Sequence, residues 1–482
     1  MIRLRLAELN RRHIALAGAA ALVVVATAAA AVALWPDPSD ALRRDLEAEF
    51  DGAYPAEPAG GGDVIDVDLT AAETTVALVD GVETDVWAYN GTVPGPALRI
   101  ELGDTIRVHV RNDLDAATTI HWHGIRVPND MDGVPDVNQP RIEPGATFVY
   151  EFTPPDAGTY WYHSHTDGSQ QLVRGLYGSI VVDDPGDGTD YGADEVWILD
   201  DWLLDDTGQI DPAFNTPADR THNGRWGNLI TVNASTTTEL KVAPGARIRL
   251  RLVSASNGRV YVPHFGDLDV TVVAVDGLTV GDHPDLATLT LAPGNRIDVD
   301  ITTPTEPGTH QVVDTFTGGP QPLATIVVDD TTDDRADALS FEPATNPAVP
   351  DWDTALEAPV DHELLFETRN EDDEWIWTIN GAAYPDHEPL ELTAGEFTKI
   401  RLVNQTHPMH PIHLHGQFFK VLTRNGEPVD EPYFRDTVLL EMLDEVEIGL
   451  VPLDVGDWVL NCHIQEHGEA GMMTVMQVAP DR

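Results

Sequence analysis

The stretch Leu98-Arg-Ile-Glu-Leu-Gly-Asp-Thr-Ile-Arg-Val-His-Val-Arg-Asn112 contains two short segments in which apolar and polar residues alternate, with a Gly-Asp turn between them. A period of two places the apolar side chains on one face of a β-strand and the polar side chains on the other. From about residue 63 onward the chain keeps this texture, and Gly, Pro, Asp and Asn recur every 8–12 residues. The pattern predicts an all-β protein built of sandwiches.

The same arrangement occurs three times. In each copy an Asn precedes a first strand, a turn containing Gly follows, and an alternating strand comes next, with Asn-to-Gly spacings of 13, 12 and 15 residues. The three copies are Asn90 to Ile106-Arg-Val-His-Val-Arg-Asn112, Asn233 to Ile248-Arg-Leu-Arg-Leu-Val253, and Asn380 to Ile400-Arg-Leu-Val-Asn404. Self-similarity of this kind predicts three related sandwiches in series. We place them at residues 63–190, 191–335 and 358–482.

The amino terminus has the composition of an export segment. Four arginines within residues 1–12 precede an uninterrupted run of apolar and small residues from Ile14 to Leu34. This pattern predicts that residues 1–35 are a secretory signal or, since 21 residues can span a bilayer, a membrane anchor. The pair Arg11-Arg12 resembles a twin-arginine signal, which exports folded proteins. Residues 36–62 are predicted to be a linker. The sandwiches that follow it are expected to lie outside the cytoplasm.

Charge and cysteine content exclude two classes of protein. The chain has 28 Lys and Arg against 81 Asp and Glu, a formal net charge of −53, so nucleic acid is excluded as a partner. We interpret the acidic surface as an adaptation to salt, with the capture of metal cations as the alternative. The single cysteine, Cys462, excludes a disulfide framework within one chain.

Histidines are concentrated in four short windows that hold nine of the 18 in the chain. The windows are His121/His123, His163/His165, His410/His413/His415 and His463/His467. In a His-x-His strand both imidazoles leave the same face. The three His-x-His pairs, two in the first sandwich and one in the last, therefore predict six imidazoles in one cleft between these domains. Imidazole is a ligand for copper, iron, nickel and zinc.

Cys462 narrows the choice of metal to copper. His467 and Met472 follow it closely, and His410 comes from the preceding window. One thiolate, two imidazoles and a weak thioether form the ligand set of a blue-copper electron-transfer site. Strand alternation places Cys462 and His463 on opposite sides of the backbone, so their peptide bond connects the blue copper to the imidazole cluster.

With these motifs the chain resembles the three-domain multicopper oxidases, the laccase group. The resemblance covers about residues 63–480 and rests on four motifs in order, together with a first-domain signature. These are His121-Trp-His-Gly124, His163-Ser-His165, His410-Pro-Ile-His-Leu-His-Gly416, Cys462-His-Ile-Gln-Glu-His467 through Gly471-Met472, and Asn90-Gly-Thr-Val-Pro-Gly95. It implies three consecutive cupredoxin-like Greek-key β-sandwiches and up to four copper ions.

The resemblance also implies a role for each ligand. His410, Cys462, His467 and Met472 would hold the type 1 copper, and His121 and His413 the type 2 copper. His123, His163 and His463 would hold one type 3 copper, and His165 and His415 belong to the other. In the family a reductant gives single electrons to the type 1 copper, and dioxygen is reduced to water at the trinuclear cluster.

One departure from the family pattern affects the copper ligands. The last motif of the family opens His-Cys-His, whereas this chain has Asn461 before Cys462. Asn461 would replace the third ligand of the second type 3 copper with a weak carbonyl oxygen. We therefore expect this copper to bind more weakly and oxygen reduction to be slower.

The other departure concerns the supply of protons to oxygen. Related bacterial oxidases have an acid directly after the last type 1 histidine, where this chain has Gly468. Glu466 is expected on the wrong strand face to substitute for it. Asp132 matches the other proton-handling acid of the family and is predicted to be catalytic, as are Cys462 and His463.

Two alternatives come from other functional classes. A copper-poor envelope scaffold of the same fold is disfavoured, because the chain keeps eleven of twelve ligand positions. An electron-transfer or nitrite-reducing copper protein is disfavoured by the paired His-x-His motifs. Phenols and aromatic amines are the expected reductants, with Mn(II) or Fe(II) as alternatives. Seven scattered methionines make a dedicated cuprous oxidase less favoured.

Overall fold

In the computed structural model of the chain, the structure describes residues 61–186, 191–280, 283–330, 352–372 and 374–480. The predicted signal or anchor and almost all of the predicted linker lie outside the described residues. Six sheets pair into three sandwiches, as the alternation and the repeats predict. Within the described parts of the chain, no helix is long and apolar enough to cross a membrane.

The first sandwich packs the sheet β2-β1-β4-β6 against the sheet β3-β8-β7-β5. Its core contains tightly packed aromatic and aliphatic side chains, among them the buried Trp122 and Tyr150. Its strands are β1 Val64–Val79, β2 Val82–Tyr89, β3 Leu98–Glu101, β4 Thr105–Asn112, β5 His121–His123, β6 Thr147–Phe152, β7 Gly158–His163 and β8 Tyr177–Asp183; α1 is Gly168–Gln171, and a 3₁₀ turn spans Asn129–Met131.

The second sandwich packs a six-stranded sheet, β10-β9-β12-β16-β14-β15, against the sheet β11-β18-β17-β13. Its strands are β9 Ala193–Trp202, β10 Leu229–Val232, β11 Thr238–Val242, β12 Arg247–Ser254, β13 Pro263–His264, β14 Asp269–Val275, β15 Leu278–Thr279, β16 Arg296–Thr302, β17 Gly308–Asp314 and β18 Gln321–Val328; α2 is Pro217–Thr221, and a 3₁₀ turn spans Leu286–Thr288.

The third sandwich packs the sheet β20-β19-β22-β27-β24-β25 against the sheet β21-β29-β28-β23-β26. Its strands are β19 His362–Glu371, β20 Glu374–Ile379, β21 Leu390–Thr393, β22 Thr398–Asn404, β23 His410–Leu414, β24 Lys420–Arg424, β25 Glu427–Pro428, β26 Thr437–Leu440, β27 Glu445–Leu450, β28 Gly456–Cys462 and β29 Met473–Ala479; α3 is Gln465–Glu469, and a 3₁₀ helix spans Trp352–Glu357.

The repeated asparagine has the same role in all three sandwiches. Asn90, Asn233 and Asn380 each have φ near +53° at the end of the second strand of their sandwich. Each side-chain oxygen accepts from a backbone N–H of the first strand, and each amide donates to a carbonyl two residues earlier in that strand. The first strand of each sandwich also runs parallel to the alternating strand that the repeats identified. The sequence repeat is therefore a structural repeat.

The second copy of this turn differs at one residue. Gly91 and Gly381 follow their asparagines with φ of +76° and +77°, whereas Ala234 adopts φ +57°. A residue with a Cβ is destabilised by about 1–2 kcal/mol in this left-handed region. Replacing it with glycine removes this cost, but part of the gain is lost because glycine makes the unfolded chain more flexible. Ala234→Gly should therefore raise the free energy of unfolding by about 0.5–1 kcal/mol, measured by urea titration.

Gly91→Ala is the matched control for this prediction. No atom lies within 4 Å of the Cβ it would introduce, so only the backbone conformation is tested. It should destabilise the chain by a similar amount. A loss of stability in Ala234→Gly would contradict the explanation.

Candidate metal centre

Three buried side chains of the third sandwich converge on one point. The Sγ of Cys462 lies 3.6 Å from Nδ1 of His410 and 3.7 Å from Nδ1 of His467, and the two nitrogens are 3.2 Å apart. His410 begins β23, Cys462 ends β28, and His467 lies in α3. The structure therefore brings together the thiol and both imidazoles that the sequence assigned to one site.

Hydrogen bonds fix the inward orientation of both Nδ1 atoms. Nε2 of His467 donates to the carbonyl of His222 at 2.8 Å, and Nε2 of His410 donates to the hydroxyl of Thr406 at 2.8 Å. Since Nε2 carries the proton, the Nδ1 lone pair is free for a metal. Burial lowers the pKa of His467 to about 3 and the pKa of His410 well below its usual value, so both rings are neutral.

The fourth predicted member of this site, Met472, is fully buried in the same core as Cys462. Its carbonyl accepts from the backbone N–H of Cys462 at 3.1 Å. Burial raises the pKa of the Cys462 thiol, which therefore stays protonated unless a cation replaces its proton. A soft metal that binds thiolate and imidazole provides that cation.

The remaining predicted histidines form a second cluster between the first and third sandwiches. The ring of His123 stacks on His413 with centroids 3.7 Å apart, and His121 stacks on His415 at 3.8 Å. His121 and His163 are directly opposite in the β5–β7 ladder. Two more rings complete the cluster: His165 is 5.1 Å from His415, and His463 is 5.1 Å from His123 and 5.3 Å from His163.

Most rings of this cluster have one nitrogen bonded outward and the other unpaired. Nδ1 of His121 donates to the carbonyl of Asp132, Nδ1 of His163 to that of Ser164, and Nδ1 of His413 to that of Asp436. Nδ1 of His415 donates to the Asp132 carboxylate. Their buried Nε2 atoms have no hydrogen-bond partner, nor do Nδ1 of His123 and both ring nitrogens of His463. Buried polar atoms rarely remain unpaired. A set of unpaired imidazole nitrogens fits bound copper.

Asn461 faces this cluster in the place of the missing histidine. It pairs with His413 across the β23–β28 ladder, so the two side chains share a face, while Cys462 pairs with Ile412 on the other face. The amide of Asn461 donates to the carbonyl of Cys462 at 3.0 Å, and its buried Oδ1 has no partner. The side chain thus offers only an amide oxygen beside His415.

Asp132 is buried within the cluster and is not a simple surface turn. Its carboxylate oxygens lie 2.9 Å from Nδ1 of His415 and 3.2 Å from Nδ1 of His121. Burial opposes its ionisation, but the neighbouring His415 and His121 hold the pKa of Asp132 well below its usual value. An ionised carboxylate in this position orients two imidazoles. Its role in proton transfer stays a prediction.

Glu466 lies on a helix, because the chain leaves β28 at Cys462 and turns into α3. The expectation of a strand position for Glu466 was therefore wrong. Both carboxylate oxygens accept from the Asn257 amide at 2.8 Å, and burial raises the pKa of Glu466 to about 8. Its carboxyl group is bound to the second sandwich. Gly468 lies near Asn461 and has no side-chain carboxylate.

Sequence motifs do not identify a second acid at the cluster, Asp436. Its carbonyl accepts from His413, and its Oδ1 lies 3.4 Å from Nε2 of His123. Arg296 of the second sandwich donates to both carboxylate oxygens at 2.9 and 2.7 Å, and both residues are buried. Burial opposes ionisation of Asp436, but Arg296 holds its pKa well below the usual value.

Arg296 links all three sandwiches beneath the imidazoles. Besides Asp436 of the third sandwich, it donates to the carbonyl of Thr159 in the first and to the carbonyl of Asp276 in the second. Gly124 leaves room for the guanidinium, since a Cβ there would lie 2.1 Å from Nη2. No sequence motif contains Arg296 or Asp436, because they contact each other across two sandwiches and are not neighbours along one strand.

The fold, the thiol-containing cluster and the imidazole cluster fit a copper-dependent redox protein. Comparisons with known proteins agree. Three family models, each described as multicopper oxidase, match residues 70–187, 194–330 and 357–482. The chain belongs to the multicopper oxidase family; it is a copper-dependent oxidase that uses dioxygen and takes electrons from small-molecule or metal-ion reductants.

Relatives along nearly the whole chain support this identification. The multicopper oxidase MmcO of Mycobacterium tuberculosis is 31% identical over 465 residues, covering 89% of this chain and 90% of that protein. Laccase-1 of Fomitopsis schrenkii is 30% identical, with 88% of each chain covered. The crystal structure of a multi-copper oxidase from Pseudomonas thermotolerans has a TM-score of 0.75 and 33% identity, and it covers 86% of this chain and 99% of that one.

Removal of the Arg296 guanidinium tests its role under the cluster. Arg296→Met leaves the Asp436 carboxylate buried without its partner, which should cost about 3–5 kcal/mol of unfolding free energy. Because Asp436 contacts His123 and His413, the electron paramagnetic resonance spectrum of the copper-loaded protein should also change. Arg107→Met, which removes surface ion pairs with Asp66 and Glu151, should cost at most about 1 kcal/mol and leave the spectrum unchanged. Equal behaviour of the two variants would contradict the proposed linkage.

Proposed function

We propose that the chain is a laccase-like oxidase that takes single electrons from small phenols or aromatic amines at a type 1 copper. Dioxygen is reduced to water at a trinuclear copper cluster formed by the second group of imidazoles. The observation that carries this proposal is the convergence of the Cys462 sulfur with two imidazole nitrogens. That site is one peptide bond from His463, which belongs to the other cluster.

We assign the ligands as the family pattern implies. The type 1 ligands are His410, Cys462, His467 and Met472. The trinuclear ligands are His121 and His413 for type 2, His123, His163 and His463 for one type 3 ion, and His165 and His415 for the other. The proximity of the donor atoms supports the type 1 assignment, since the ligand atoms of His410, Cys462 and His467 lie within 4.8 Å of one another. Two further groups with the same spacing, His121/His123/His163 and His121/His413/His415, support a shared cluster of imidazoles.

Copper bound at these sites supplies one-electron oxidation of the reductant and four-electron reduction of dioxygen. The chain supplies rigid, dry and correctly protonated ligands. Backbone carbonyls of Asp132, Ser164, Asp436 and His222 each hold one imidazole N–H, which leaves the opposite nitrogen free. Burial keeps the rings neutral and excludes water from them. We assign proton transfer to Asp132, as the family pattern implies, and its carboxylate contacts rings of both sandwiches.

We also propose that the oxidase works outside the cytoplasm. The arginine-rich start and the apolar run up to Leu34 support export. A twin-arginine signal would deliver the chain already folded with its copper.

Oxygen consumption by copper-loaded protein tests the function. With 2,6-dimethoxyphenol as reductant, the blue protein should consume one dioxygen for about every four phenols oxidised, because each phenol yields one electron. Cys462→Ser should lose the thiolate-to-copper colour and at least about a thousandfold of the rate, since serine is a poor copper ligand. A colourless wild-type protein that consumes no oxygen with any reductant would contradict the proposal.

Asn461→His tests the weak third ligand of the second type 3 copper. In protein loaded with excess copper and then dialysed against copper-free buffer, a third imidazole should raise the copper content from about three to about four ions per chain, since imidazole binds copper more tightly than an amide oxygen. Oxygen uptake should rise with it. Asn461→Gln keeps an amide and is the matched control, expected to gain neither. No change in copper content or oxygen uptake in Asn461→His would refute the interpretation.

A further inference from the structure

A tyrosine that has no part in the proposed function lies beside the imidazole cluster. Tyr177 is directly opposite His163 in the β7–β8 ladder, so the two side chains leave the same face of the sheet with Cβ atoms about 5 Å apart. The ring of Trp161, two residues before His163, lies on that face as well and stacks on the His163 ring with centroids 4.3 Å apart. Tyr177 and Trp161 are fully buried in one apolar cluster. Oxidisable aromatic side chains therefore adjoin the imidazoles.

The hydroxyl of Tyr177 has a proton acceptor in the second sandwich. It donates to Oδ2 of Asp200 at 2.6 Å, a length typical of a bond to an ionised carboxylate. Oδ1 of Asp200 accepts from the backbone N–H of Asp201 at 2.7 Å, so both carboxylate oxygens are acceptors. Burial raises the pKa of Asp200 well above its usual value, which means that this carboxylate has a high affinity for a proton. Tyr177 can therefore lose an electron while its proton passes to Asp200.

Two aromatic neighbours of Tyr177 lack such an acceptor. Nε1 of Trp161 is buried without a hydrogen-bond partner, so an oxidised indole would keep its proton and its charge in an apolar environment. Tyr162, on the opposite face of β7, donates to the carbonyl of Pro96, which is a neutral group and a poor proton acceptor. Of these three rings, Tyr177 is the one suited to give up both an electron and a proton.

The residue at position 461 creates a need for an additional electron donor. Reduction of one dioxygen to two water molecules takes four electrons, and each cuprous ion gives one. If Asn461 binds the second type 3 copper weakly, a chain with about three copper ions holds only three of these electrons. His163 is assigned to the other type 3 copper, which keeps three imidazoles. The chain therefore lacks one electron, and an oxidisable tyrosine lies opposite a ligand of the copper that remains.

We propose that Tyr177 gives the fourth electron to dioxygen when the second type 3 copper is absent, and that Asp200 accepts its proton. The inference rests on the proposed function and on the expected effect of Asn461. Dioxygen takes three electrons from cuprous ions and the fourth from the phenol of Tyr177, which becomes a neutral phenoxyl radical as its O–H proton moves to Asp200. Four protons from solvent complete two water molecules. One electron from the next reductant and the proton held by Asp200 then restore the phenol.

Electron paramagnetic resonance of rapidly frozen samples measures the radical directly. The full chain is loaded with copper, dialysed, reduced, freed of reductant under nitrogen and mixed with oxygenated buffer. The wild type should show an organic radical, up to about one per chain, whose signal narrows when the protein carries ring-deuterated tyrosine. Tyr177→Phe should lower the radical yield at least about tenfold, with the copper content and blue colour unchanged. Asp200→Asn keeps an oxygen for the Tyr177 hydrogen bond but removes the proton acceptor, and it should lower the yield at least about tenfold as well.

Two further variants complete the test. Tyr162→Phe, at a fully buried tyrosine of the same sandwich, is the matched control and should give the radical yield of the wild type. Asn461→His should give at least about tenfold less radical than the wild type, because a fourth copper ion then supplies the electron.

Several outcomes would overturn the inference even while the wild type consumes oxygen with a phenol. These are a wild type without an organic radical, a radical that persists in Tyr177→Phe and Asp200→Asn, a radical lost in Trp161→Phe but kept in Tyr177→Phe, and an undiminished radical in Asn461→His. Absence of oxygen uptake in the wild type with any reductant would instead overturn the proposed function.

Discussion

The site depends on one constraint: imidazole rings are buried without charge, and most of them are held by an outward hydrogen bond so that the other nitrogen faces a common centre. A buried imidazolium would require a counter-charge, and a free rotor could not present its lone pair reliably. Carbonyls of Asp132, Ser164, Asp436 and His222 provide most of these bonds. These carbonyls are fixed by the strand ladders and loops around them. The sheets therefore determine the orientation of the ligand imidazoles and which nitrogen carries the proton.

This constraint explains why three sandwiches are needed although only two carry the histidines of the clusters. The second sandwich supplies the carbonyl of His222 to one site and Arg296 to the other. Arg296 neutralises the buried Asp436, which would otherwise introduce an uncompensated charge beside His123 and His413. The second sandwich therefore supports both metal sites.

The sequence predicted the features that depend on local spacing. Alternation and the repeated Asn90, Asn233 and Asn380 identified the three sandwiches, because the same turn makes the same bonds in each. Histidine spacing identified rings that do lie together. The sequence could not identify Asp436 and Arg296, since they meet across 140 residues of sequence. It could not identify the carbonyl of His222 as the partner of His467 either, since these residues also lie in different sandwiches. Helix α3 was also missed, because its five residues are too few to show a helical period.

The central claim is that copper binds where the sulfur and imidazole nitrogens converge. Anomalous diffraction from crystals of the copper-loaded protein, recorded on both sides of the copper absorption edge, tests it most directly. The account predicts one strong peak among Cys462, His410 and His467 and further peaks within the second imidazole cluster, the weakest beside Asn461. Absence of a copper peak at Cys462, or a peak that persists unchanged below the copper edge, would contradict it.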